Sequence, residues 1–205
     1  AVPDMAAVLF ARGEFERCEA LLDQSPGESD FRGDLYRMWI AEARGDGDRA
    51  LSLLVSPERG GNTPTAVGQI HAAAAGALYR AGRREVAAQA MRAWVAVERP
   101  PEDADFPCFE GTALTACILE LGDEALWRTV REAFARLDAT RRPAMRFSTL
   151  QGRAVAPLKA GVAAKLGLRD EAARAYREGL AWCEAAGCAR DAEACREGLA
   201  ALALA

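Results

Sequence analysis

Residues 160–180 read AGVAAKLGLRDEAARAYREGL, and their spacing predicts two helices that meet at Gly167. Small and apolar side chains fill the first, from Ala160 to Leu166. Gly167 frees the backbone for a turn. Asp170 and Glu171 open the second helix, where carboxylates favour the positive end of the helix dipole. Ala172, Tyr176 and Leu180 then recur every four residues, one stripe on one helix face.

The same order of glycine, small residue and large residue returns along the chain. Gly13 is followed by Cys18 and Leu22, Gly45 by Ala50 and Leu54, and Gly82 by Ala87 and Met91. Gly122 departs from it, because Trp127 stands where the small residue should be. The five glycines Gly13, Gly45, Gly82, Gly122 and Gly167 are 32, 37, 40 and 45 residues apart. Between them the apolar periodicity predicts helices over 4–12, 14–23, 30–44, 65–81, 83–98, 108–121, 124–137 and 144–166. Pro157 falls inside the last of these and lacks an N–H, so that helix should kink or restart there. A final helix over 189–204 carries Ala192, Cys195, Leu199 and Leu202 on one stripe, suited to covering the end of an array.

A glycine, a small residue five on and an aromatic four further resembles the hairpin core of the tetratricopeptide repeat, clearest at Gly167, Ala172, Tyr176 and Leu180. The resemblance implies an all-α fold: an antiparallel helix-hairpin solenoid with a right-handed superhelix, about five hairpins and a C-terminal capping helix. Residues 1–205 would form one such domain, excised from a longer protein since the first residue is Ala. Stretched repeats of this kind resemble the helical-repeat regions of large bacterial ATP-dependent transcription regulators and signalling ATPases, which implies a cytoplasmic setting.

Composition narrows the function classes. About half of the 205 residues are apolar, enough for a continuous core, and Ala and Leu dominate over β-branched residues. The net charge of −4 speaks against direct nucleic-acid binding. No apolar run approaches the ~18 residues of a membrane span. Cys18, Cys108, Cys117, Cys183, Cys188 and Cys195 form no Cys-x-x-Cys pair and read as small buried hydrophobes in a reducing compartment. The group Cys183, Cys188 and Cys195 leaves a redox or metal role open, although its spacing fits no zinc pattern.

Catalytic motifs are missing from the sequence. There is no phosphate-binding loop, no nucleophile elbow and no zinc-protease helix, and His71 is the one histidine. The pairs Glu102–Asp103, Asp123–Glu124 and Asp170–Glu171 stand at helix starts or in loops, where solvation or the helix dipole explains them. Arg141, Arg142, Arg146 and Arg153 gather positive charge around one loop, suited to an acidic partner or simply to solvent. No catalytic residue, cofactor or metal is therefore expected.

The register of the resemblance implies a binding face instead. Positions six and three before the turn glycines Gly45, Gly82, Gly122 and Gly167 should line a concave groove: Trp39 and Glu42, Gly76 and Tyr79, Ala116 and Leu119, and Gly161 with Ala164. Leu35, Ala72, Thr112 and Pro157, four residues upstream of the first of each pair, would extend it. Trp39 and Tyr79 would be its aromatic anchors for a protein or peptide segment, or for a small effector. The other reading of the Ala and Gly positions is that they let helices pack closely. An alternative role is an oligomerisation scaffold, in which an exposed Leu199/Leu202 stripe docks on a second copy.

Overall fold

The computed structural model describes residues 2–24, 31–55, 63–98, 110–139, 147–148 and 153–204. Among them are α1 (Val2–Ala11), α2 (Phe15–Asp23), α3 (Phe31–Ala43), α4 (Gly47–Ser52), α5 (Pro64–Arg80) and α6 (Arg84–Val95). A 3₁₀ turn (Gly111–Leu114) leads into α7 (Thr115–Leu121), followed by α8 (Glu124–Ala139), α9 (Ala156–Lys165), α10 (Arg169–Ala186) and α11 (Ala189–Leu204). Among the described residues the fold is all-α, with one pair of two-residue strands before α9.

Five turns share one chemistry. Gly13, Gly45, Gly82, Gly167 and Gly187 all take left-handed φ angles, between 73° and 78°. Gly167 N–H donates to Ala164 O at 3.0 Å while Leu168 N–H donates to Ala163 O at 2.9 Å, and the other four repeat this double pattern. It satisfies the last carbonyls of the helix, and the left-handed residue it needs would cost a side-chain-bearing residue about 1–2 kcal/mol. Gly122, expected to turn the fourth hairpin in the same way, differs. Its backbone is extended, at φ −73° and ψ 157°. There Asp123 does the work, its Oδ1 accepting from Leu126 N–H at 2.9 Å to start α8. Gly187, which the spacing of the five glycines leaves out, joins α11 to α10, so α11 is not a lone helix.

The helix expected over 144–166 is also corrected. Residues 147–148 and 153–154 pair as antiparallel strands, Phe147 opposite Ala154 and Ser148 opposite Arg153. α9 begins at Ala156, with Pro157 in its first turn. A proline there loses no hydrogen bond, because the first N–H groups of a helix have no partner within it.

Packing follows chain order. α1 lies on α2 and α3, α3 on α4 and α5, and α5 on α6 and the 3₁₀–α7 segment. α7 in turn lies on α8 and α9, and α9 on α10 and α11. The second helices show why: α8 buries Val130, Ala133, Phe134 and Leu137, one face at helical spacing. α5 is covered on several sides and buries eight residues between Gly68 and Ala77, mostly Ala and Gly. Only small residues allow that approach. A Cβ on Gly76 would stand 2.3 Å from Ala113 O.

One apolar cluster joins α1 to α5 around Tyr36, Trp39 and Ile70, and a second joins α5 to α9 around Trp94, Ile118 and Leu158. Ala11, at the end of α1, packs on a third made of Ala154, Cys183, Cys188 and Ala192. The two ends of the array therefore touch. Leu199 and Leu202 are half-buried against Tyr176, Ala175 and Ala160, so part of that apolar stripe packs within the chain. Among the described residues, no helix is long and apolar enough to cross a membrane.

Candidate interaction surface

The face expected to form an open groove is largely closed. Leu35, Trp39, Ala72, Gly76 and Thr112 are all buried. Trp39 retains 4% exposure and stacks edge-on against Tyr36 with ring centroids 5.2 Å apart, with Phe10 at 6.1 Å. Its indole Nε1 is buried without a hydrogen-bond partner among the described residues. Trp39 is thus a core residue and not a groove anchor. The reason is local packing: Phe10 of α1 and Tyr36 of α3 lie against its ring within one apolar cluster. Of the expected lining residues only Ala116 is exposed, with Glu42, Tyr79, Leu119 and Ala164 half-buried.

Arg80 completes the closure. Its Nη2 bonds both carboxylate oxygens of Glu42 at 2.7 and 2.8 Å, and its Nη1 donates to Ala113 O at 3.3 Å. The guanidinium thereby ties α3, α5 and the 3₁₀ turn together, and the Glu42 side chain is left 7% exposed. The sequence reading passed over Arg80. Its signal was present: it is the one arginine on α5, one helical turn after Gly76.

Tyr79 remains accessible and belongs to a polar strip along the turn side of the first helices. Interaction with the Glu120 carboxylate raises its phenol above the usual tyrosine range, with burial a smaller cause in the same direction. The same interaction is the main cause holding Glu120 below the usual carboxylate range. The Arg84 guanidinium lies over the Tyr79 ring, 5.4 Å from its centroid, and reaches Glu120 at 3.2 Å. Further along, Lys165 lies over Trp127 at 5.6 Å, and the indole of Trp127 donates to Ile118 O at 2.9 Å. Cations over half-buried aromatic rings give the strip a surface that a flexible segment can lie on.

The remaining candidates for chemistry do not converge. His71 is half-buried, and burial lowers its basicity. Cys183, Cys188 and Cys195 are buried free thiols. The neighbouring thiols of Cys183 and Cys195 interact, and that interaction together with burial raises Cys183. Burial likewise pushes Cys18 and Cys117 up to about 11, the range of inert thiols. Among the described residues no three His, Cys, Asp or Glu side chains gather to hold a metal ion. Cys108, Glu102, Asp103 and the loop arginines Arg141, Arg142 and Arg146 lie outside the described residues, as does the side chain of Arg153.

Compared with protein-family models, with curated proteins and with solved structures, the chain finds no match in any of the three.

Proposed function

We propose that this chain is a non-catalytic binding module built of tetratricopeptide-like helix hairpins, right-handed in its superhelix and closed at the C-terminal end by α11. The observation that carries the reading is the packing ladder, in which each first helix lies on its partner and on the next first helix. Left-handed glycines between the helices support it, since they repeat one turn geometry five times. A protein or peptide segment is the partner this reading favours. It would lie along the turn-side strip of Tyr79, Arg84, Ala116 and Glu120, because the deeper face is filled by Trp39 and the Glu42–Arg80 pair. The setting that goes with this reading is a cytoplasmic multidomain regulator.

The test is affinity capture on the immobilised chain, wild type beside Tyr79→Ala/Arg84→Ala and beside the remote variant Arg196→Ala. A protein held by wild type and Arg196→Ala but lost from the double variant supports the reading. Equal capture by all three moves the surface elsewhere. No specific capture by any of them defeats the reading of a binding module.

A further inference from the structure

A pocket of about 290 Å³ opens between α8, α9 and α10. Its walls are braced from within. Arg131 on α8 makes a two-pronged pair with Glu171 on α10, Nε to Oε1 at 3.0 Å and Nη2 to Oε2 at 2.8 Å. Lys159 on α9 bonds Asp138 on α8 at 2.6 Å. Phe134, 2% exposed, and Ala175, 8% exposed, give it an apolar base.

Two charges in this pocket are not used by that bracing. Arg174 and Glu178 line it one turn apart on α10, both exposed, and neither makes a hydrogen bond or ion pair among the described residues. Arg174 acts on Glu171 only at longer range. A basic residue four places before an acidic one is the weaker order for a helical pair, so the two do not readily neutralise one another. The lining charges balance, with three basic and three acidic groups. A plain anion entering would meet Glu178 and Glu171, and a plain cation would meet Arg174. A ligand carrying both signs meets a partner for each.

We propose that this pocket binds a small zwitterion, an α-amino acid with an apolar side chain, its carboxylate on Arg174, its ammonium on Glu178 and its side chain over Phe134 and Ala175. The volume suits a ligand of this size, at the lower end of small-molecule sites. The site lies apart from the Tyr79 strip and does not depend on the partner reading.

The experiment is calorimetric titration of the intact chain with L-leucine and L-phenylalanine. Their N-acetyl forms, which lack the ammonium, and their amides, which lack the carboxylate, serve as single-charge probes. The expected result is saturable binding of a free amino acid, at least about tenfold weaker for either single-charge probe, the scale of one charge-assisted contact. Arg174→Gln and Glu178→Gln should each weaken it by a similar factor while Tyr79→Ala leaves it unchanged. Both substitutions fall on exposed side chains, so the fold is retained, and circular dichroism checks it. Binding of the N-acetyl forms at full strength, insensitive to Glu178→Gln, would overturn the proposal in favour of a simple anion site. Absence of saturable heat with either amino acid would overturn it outright. Loss of partner capture with amino-acid binding intact, or the reverse, separates failure of the module reading from failure of this one.

Discussion

The ring of Tyr176 on α10 lies flat against the bare backbone of Gly198 on α11: a Cβ built on Gly198 would stand 2.2 Å from Cζ. The Gly–Ala–Tyr spacing placed Tyr176 where the two helices of its own hairpin meet. In the structure it also seats the closing helix, alongside Cys195 and Leu199. Tyr176→Ala should cost ~3–5 kcal/mol through the cavity it leaves. Gly198→Ala should cost ~1–3 kcal/mol by overpacking. The two should not add, since removing the ring removes the clash. Urea denaturation of the two single variants and the double variant measures the coupling. Strict additivity would show that the ring and Gly198 do not touch in solution.

Trp39 makes a second prediction, opposite to what a groove residue would do. Its burial among Phe10, Tyr36 and the α3 core means that Trp39→Ala should lower stability by ~3–5 kcal/mol. Because its Nε1 has no partner among the described residues, Trp39→Phe should cost much less, about 1 kcal/mol or below. Thermal unfolding of the pair decides it. A Trp39→Ala variant that melts with wild type would return this residue to a binding face.

Trp94 and Glu110 form a buried polar contact, the indole Nε1 donating to Oε2 at 2.7 Å with Glu110 wholly buried. Trp94→Phe removes the donor and keeps most of the volume. It should destabilise by about 1–3 kcal/mol, the cost of leaving a buried acceptor short of a partner. Glu110→Gln keeps an acceptor at the same place and should cost less. Equal losses from the two in denaturant would mean that the hydrogen bond is not what Glu110 is held for.

The Arg131–Glu171 pair predicts an acid limb in the stability curve. Hydrogen bonding from Arg131 holds Glu171 below its ordinary value of 4.5. The folded state thus binds this proton less readily than the unfolded chain. The pair's contribution is complete above about pH 4.5 and is lost as pH falls through the lowered folded value. Melting temperatures from about pH 7 down to about pH 3 should therefore fall less steeply in Glu171→Gln than in wild type. Glu16 and Glu120, also held low, keep part of the slope in both proteins. Parallel curves would show that Arg131 does not reach Glu171 in solution.

The sequence by itself determined what depends on neighbours within a turn or two. Helical class followed from apolar spacing and from the scarcity of β-branched residues. The turns at Gly13, Gly45, Gly82 and Gly167 were legible because a left-handed residue after a helix is a local demand that glycine meets. The span of α11 was also legible, since its stripe from Ala192 to Leu202 is a single-helix pattern. Gly122 escaped this logic because Asp123 supplies a side-chain cap, so no left-handed glycine is required there. Exposure on the inner face, by contrast, depends on how far each helix pair rotates against the next, and those rotations accumulate over the whole array. Only the tertiary structure could show that they bring Ala11 onto the Cys188 cluster, put Trp39 in the core and carry Arg80 across to Glu42. It alone could also leave the pocket beside Arg174 and Glu178 open, for that space lies between helices whose separation no local pattern encodes.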